Sequence, residues 1–286
     1  MGGRPELTGA VYLLDKQSGI TSRKAAAQVA KSFGFTKYGH CGTLDPDASG
    51  LLVVLLGKAT RLASYIAGET KRYSFQLVTG IMTDTLDMSG EVLEKVDSSS
   101  VTSDSVRKAL RDFTGTFSQQ VPLFSAVRVN GKRGYRLARE GRKPDMPFRE
   151  VTVSRWKCGK MNNGRISLEA TVSSGTYIRA LARDIGKAIG IPAVADSIRR
   201  TCSGSFSVKQ ASCNPDSSDS LLSMGEALKS YPALVLSNDD VKRVSHGMSI
   251  EAEIEGISVL LNKSGEVAAI GKGLGSEIRP VVVFAT

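Results

Sequence analysis

The chain has 286 residues, with 38 Lys and Arg against 28 Asp and Glu, a formal net charge of +10. A hydrophobic fraction of 41% and a charged fraction of 23% suit a packed core and exclude wholesale disorder. The longest apolar run, Leu51–Leu56, is far short of the roughly 20 residues that cross a bilayer, and the first residues hold no signal-peptide core. These features predict a cytoplasmic protein without a membrane partner.

In chain order, Val11–Leu14 reads as a strand, and Thr21-Ser22 caps a helix through Ala25 and Val29 that stops at Gly34. Leu51–Leu56 is a buried strand, Thr60–Ile66 a short helix, and Arg72–Thr79 alternates as a strand. Ser103 opens a helix to Phe113, with Gly115 as its stop. Val127–Val129, Asn130-Gly131 and Arg133–Glu140 read as strand, tight turn and helix. Val151–Cys158 and Ile166–Val172 flank the hairpin signal Asn162-Asn163-Gly164. Thr176–Ile189 is a helix ended by Gly190, and Leu221–Lys229 a second, short one. The remainder is turn-rich, with strands at Ile257–Leu261, Val267–Ile270 and Val281–Phe284 that predict a small β-barrel. Helices and strands mix without regular βαβ alternation, so the expected class is α+β.

Charge and composition divide the chain near residue 231. A Ser-, Asn- and Asp-rich stretch, Ser212–Ser220, precedes Tyr231-Pro232. Residues 232–286 carry a net −2, which leaves +12 on residues 1–231. The four cysteines are scattered without a C-x-x-C pair, and His40 and His246 are far apart, which predicts reduced thiols and no metal site. The sequence holds no convincing nucleotide, metal or redox motif, so no cofactor is expected.

The richest segment in chemistry is Gly39-His-Cys-Gly-Thr-Leu-Asp-Pro-Asp-Ala-Ser-Gly50. Its glycines permit positive φ and close approach to a ligand, and Pro46 stiffens the chain just after Asp45. On local chemistry, Asp45 fits equally an aimed carboxylate or an Asx turn before proline.

This segment resembles the catalytic motif of the TruB family of pseudouridine synthases, G-H-x-G-T-L-D-P-x-A-x-G. The stretch Leu14-Asp-Lys-Gln-Ser-Gly-Ile-Thr-Ser22 is similar to the family's D-K-P-x-G-x-T-S, with Gln17 where proline is usual. Lys71–Ser74, Gly80–Gly90, Pro122–Lys132, Gly175–Arg179 and Ile198–Thr201 match further blocks, in order, across residues 10–205. The resemblance implies a mixed, mainly antiparallel catalytic domain over 1–231. It implies Asp45 as catalytic carboxylate, Tyr73 stacked on the target uracil, Tyr177 and Ile198 lining the base pocket, Arg179 paired with Asp45, and His40 against the RNA. The reaction detaches uracil from C1′ at N1 and reattaches it at C5, after the base is flipped into a pocket.

Further expectations follow from the same resemblance. The basic block Arg128–Lys143, with seven cations and one acid, would line the RNA cleft. Residues 232–286 resemble, more weakly, a PUA-type RNA-binding domain. The implied partner is tRNA, bound at its T stem-loop by a monomer that needs no protein partner, and the implied product is pseudouridine at position 55. Two other readings are a guide-RNA-dependent synthase of a ribonucleoprotein and a tRNA-binding chaperone without catalysis.

Overall fold

The computed structural model describes residues 8–285 apart from positions 69, 130 and 143. The turn residue Asn130 and the end of the basic block, Lys143, lie outside the described residues. Among the described residues, no helix is long and apolar enough to cross a membrane.

The first half builds β1 (Gly9–Lys16), α1 (Ser22–Ser32), β2 (Tyr38–Cys41), β3 (Ser49–Gly57) and β4 (Thr70–Thr79). A small hairpin follows, β5 (Ile81–Thr83) with β6 (Val92–Lys95), then α2 (Ser103–Asp112) and β7 (Gly115–Gln120). The helix α3 (Gly134–Arg139) precedes the long hairpin β8 (Phe148–Asn162) and β9 (Arg165–Ser173). Next come α4 (Ile178–Ala188), β10 (Ala193–Ser203), β11 (Phe206–Ser207) and β12 (Leu221–Leu222). Strands β1–β4 and β7–β12 form one ten-stranded sheet in the order β12-β1-β3-β10-β4-β9-β8-β7, with β2 on β3 and β11 on β10. Its pairs are antiparallel except β3 with β10, which run parallel. The class is α+β, mixed and mainly antiparallel.

Strands β1 and β3 are buried on both faces, which explains an apolar run without alternation. Ala10, Tyr12, Leu52 and Val54 share one apolar cluster with buried residues of α1, α2 and α4, whereas Val11, Leu13, Leu51 and Val53 share another with Ala227, Val267, Ile270 and Phe284. The C-terminal residues thus complete the core behind the sheet. They form β13 (Ala233–Val235), α5 (Asn238–Ser245), β14 (Ile250–Glu251), β15 (Gly256–Leu261), β16 (Val267–Leu274) and β17 (Glu277–Val283). Their five-stranded sheet runs β13-β15-β16-β17-β14 and has a core of its own around Leu236, Val244, Leu260 and Ile278.

Several predicted elements shift. The helix expected from Thr176 begins at Ile178, because Tyr177 is its N-cap with extended backbone. The helix expected over Leu221–Lys229 shrinks to one turn, Met224–Ala227. Leu221 and Leu222 pair with β1 instead, and Ser223 and Glu226 make a capping box that fixes the start. Strand β10 escaped the alternation reading because it is bulged between Asp196 and Arg199, where Ser197 takes φ 51°.

Candidate active site

The loop between β2 and β3 carries Asp45. It is held from several sides by main-chain contacts. The Lys16 Nζ donates to Pro46 O at 3.0 Å, and also to the carbonyls of Gln17 and Ile20. Gly19 N donates to the same Pro46 O, and Ser18 Oγ to Asp47 O. Ser22 Oγ accepts from Leu44 N and donates to Leu44 O, both at 2.9 Å. Arg200 donates Nη2 to Gly42 O at the start of the loop and Nε to Leu51 O in β3 beyond it. Such redundant tethering fixes the direction of a short loop that has no regular structure of its own. Gly50, at φ 98°, permits the close approach of β3 to β10: a Cβ there would lie 2.8 Å from Arg200 N and closer still to its carbonyl oxygen.

Arg179, in the first turn of α4 and only 4% exposed, forks onto Asp45, whose side chain is 40% exposed. Nε donates to Oδ2 at 2.8 Å and Nη2 to Oδ1 at 3.1 Å. Arg179 also donates to Thr85 O and Phe124 O, and Asp87 Oδ2 lies 3.6 Å from its Nε. One guanidinium therefore ties the Asp45 loop to the β5–β6 loop and to the segment after β7. Tyr177 is held in place by Gln119 of β7, which accepts from its backbone N–H and donates to its carbonyl.

Asp45 borders a cavity of about 310 Å³ whose walls include Tyr73 of β4, Ile198 of β10, Tyr177, Lys71 and Arg200. Tyr73 and Ile198 are buried apolar surfaces there. A second cavity of about 570 Å³ also borders Asp45, with Asp47, Asp87, Asp196 and Arg199 on its walls. Five of the six sequence-derived residues (Asp45, Tyr73, Tyr177, Arg179 and Ile198) thus converge around one space or its edge. His40 does not line either cavity. It sits on β2 opposite Val54, with Nδ1 buried and, among the described residues, unpartnered; burial and then nearby Arg200 hold its pKa below the usual imidazole range.

Sequence reasoning did not single out Lys16, Ser22, Lys71, Asp87 or Arg200. Lys71/Tyr73 carries a usable signal, since residues two apart on a strand share a face; Ile198/Arg200 does not, because β10 does not read as a strand in the sequence. Burial pushes the Lys16 ammonium down to about 8, against the opposing pull of Asp47 and Asp45.

The described geometry has relatives. Residues 30–178 match the model of the family "TruB family pseudouridylate synthase (N terminal domain)". A protein of Syntrophotalea carbinolica named tRNA pseudouridine synthase B is 32% identical over 271 residues, covering 92% of this chain and 89% of its own length. A Thermobifida fusca protein of the same name is 36% identical and covers 96% of this chain and 98% of itself. Among solved structures, a chain of an H/ACA ribonucleoprotein bound to a substrate RNA containing 2′-deoxyuridine shares the fold. It superposes with a TM-score of 0.69 at 22% identity, covering 97% of this chain and 85% of that one.

Proposed function

The chain belongs to the TruB family of pseudouridylate synthases, and on that premise we propose that it is a tRNA pseudouridine synthase acting on the T-loop uridine at position 55. The observation that carries the reading is the Asp45–Arg179 fork at the edge of a cavity lined by Tyr73, Tyr177 and Ile198. A uridine flipped from its stack enters that cavity with the ring against Tyr73 and closed in by Ile198. This sets the Asp45 carboxylate against the junction of base and ribose. From there it attacks C1′ or C6, or takes the C2′ proton; each route needs one aimed carboxylate in that region. The fork from Arg179 fixes its direction before substrate arrives, which removes reorganisation from the chemical step. His40 contacts the RNA outside the base pocket.

The basic segment around α3 supplies phosphate contacts along the cleft, with Arg133 and Arg139 exposed there. Residues 232–286 act as a PUA-like RNA-binding unit, supported by their five-stranded sheet and separate core; the catalytic domain is then 1–231. The enzyme works as a monomer in the cytoplasm.

A guide-RNA-dependent synthase is the second reading, favoured by the ribonucleoprotein neighbour in fold. The tRNA reading is preferred because the relatives at 32% and 36% identity across nearly their whole length are tRNA enzymes by name. Purified protein incubated with a bare T stem-loop RNA, followed by pseudouridine mapping, decides between them. Conversion at the T-loop uridine supports the stand-alone enzyme, whereas no conversion without a guide RNA supports the alternative. Binding without conversion under either condition leaves the chaperone.

A further inference from the structure

The cavity beside Asp45 has a wall that the proposed function does not use. Lys71 and Tyr73 share one face of β4, and Ile198 and Arg200 share the same face of β10. The two strands pair with Arg200 opposite Tyr73, and all four residues line the cavity. Tyr73 and Ile198 make an apolar half; Lys71 and Arg200 make a cationic half.

Both cations are out of water, at 7% and 0% exposure. Their acceptors are neutral: Ser174 Oγ takes Lys71 Nζ at 3.0 Å, while the carbonyls of Leu51 and Gly42 take Arg200 Nε and Nη2. Among the described residues neither forms an ion pair with a carboxylate. Among the described residues, Arg200 Nη1 is buried with no hydrogen-bond partner, and so is Ser125 Oγ on the same cavity. The two cations converge on Gly42, where an added Cβ would sit 3.1 Å from Nη1 and 3.2 Å from Nζ. Buried charge without a counter-charge is costly, and a second like charge adds to the cost. Burial first, and then the neighbouring Arg200, holds the pKa of Lys71 below its ordinary value. An anion entering the cavity reverses that balance.

The reaction itself makes one. When the N1–C1′ bond breaks, its electron pair stays with the ring, and uracil becomes a monoanion with charge shared among N1, O2 and O4. The electron deficit falls on the ribose, where Asp45 answers it on the C1′ and C2′ routes. When the ring has turned, a ring pair forms the C5–C1′ bond, the C5 proton leaves and N1 takes up a proton, so the net charge returns to its starting value. Building on the assignment of this cavity as the base pocket, we propose that Lys71 and Arg200 form an anion-stabilising edge that carries the charge developing on uracil as the glycosidic bond breaks. They act as fixed charges, stronger toward the transition state than toward neutral uridine, and neither passes a proton.

Arg200 also tethers the Asp45 loop, so Lys71 is the cleaner probe. Lys71→Met is expected to lower single-turnover conversion of a uridine T stem-loop about 10²–10³-fold while changing RNA affinity little, and Lys71→Arg to restore much of the loss. The discriminating measurement uses the same RNA with 5-fluorouridine at the target. Fluorine stabilises the ring anion by itself, so Lys71→Met should slow consumption of that nucleoside by a clearly smaller factor than it slows uridine. Lys71→Gln, which keeps a donor for Ser174, is read by the same ratio where Lys71→Met fails to fold. Equal factors on both RNAs, or turnover within about 3-fold of wild type, overturn the proposal. Activity retained by Asp45→Asn overturns the base-pocket reading itself, and the proposal with it.

Discussion

Arg179 grips both carboxylate oxygens of Asp45, at 2.8 and 3.1 Å, from a position almost wholly buried, while Asp45 remains partly open to solvent. The two partners are therefore unequal. Removing Arg179 strips three loops of a common tether; changing Asp45 leaves Arg179 with the carbonyls of Thr85 and Phe124 and with Asp87 nearby. Asp45→Asn is expected to fold, to bind tRNA nearly as wild type does, and to give no product. A tritium-release assay on C5-labelled RNA, run beside a binding titration, checks this. Comparable turnover by the variant would remove Asp45 from the catalytic role.

Arg179→Lys tests the fork rather than the charge. A single ammonium cannot bond both Asp45 oxygens and two carbonyls at the angles a guanidinium provides. Misdirection of Asp45 is expected to lower kcat about 10²-fold with little change in RNA affinity. Steady-state kinetics separates the two. A large rise in KM at unchanged kcat would make Arg179 a binding residue instead.

Gly50 joins the Asp45 loop to the sheet. Its φ of 98° is one that side chains rarely adopt, and a Cβ there would run into the backbone of Arg200. Backbone on both sides cannot yield as a flexible side chain would. Gly50→Ala is expected to cost about 3 kcal/mol or more, seen as a Tm lower by roughly 6–12 °C. Differential scanning fluorimetry measures it; an unchanged Tm would mean that β3 and β10 separate at no cost.

The parts of this fold legible in the sequence are those whose cause is local. Leu51–Leu56 reads as a buried strand because both its faces are covered, and Asn163-Gly164 reads as a turn because both residues take positive φ. Strand β10 was not legible, since its bulge at Asp196–Arg199 breaks the period of two. The site divides in the same way. The glycine-flanked Asp45-Pro46 loop stands out in sequence, but what holds it comes from afar: Lys16 lies 30 positions from Pro46, and Arg200 lies 158 from Gly42. Nothing in the spacing of Leu14–Ser22 announces that it wraps another loop.

Lys16 gives that wrapping a measurable pH signature. Its pKa in the folded chain, about 8, lies below its ordinary value of 10.5. Between these values the unfolded chain holds a proton that the folded chain has released, so stability from this group rises with pH. Relative to Lys16→Met, the wild-type protein is expected to gain stability from pH 8 to pH 10, with a flat difference below pH 7. Urea unfolding of both proteins across that range checks the sign. A difference that instead shrinks with rising pH would show that the three carbonyls outweigh burial and hold the ammonium charged.

The segment around α3, proposed above to meet the RNA backbone, is expected to set the salt dependence of RNA binding. Lys132, Arg136 and Arg142 gather around Glu140, which offsets part of their charge. Arg133 and Arg139 instead meet Tyr135, one through its hydroxyl at 3.3 Å and one over its ring at 6.0 Å. They are exposed and remain available to phosphate. Each phosphate neutralised releases condensed counterions, so log Kd should rise linearly with log salt. Replacing both Arg133 and Arg139 by Ala is expected to weaken binding at low salt and reduce the slope by about 1–2. The matching change Arg136→Ala should move the slope less, because Glu140 already answers that charge. Fluorescence anisotropy of a labelled T stem-loop between low and moderate salt measures all three slopes. Equal slopes for wild type and the double variant would take this segment off the RNA path.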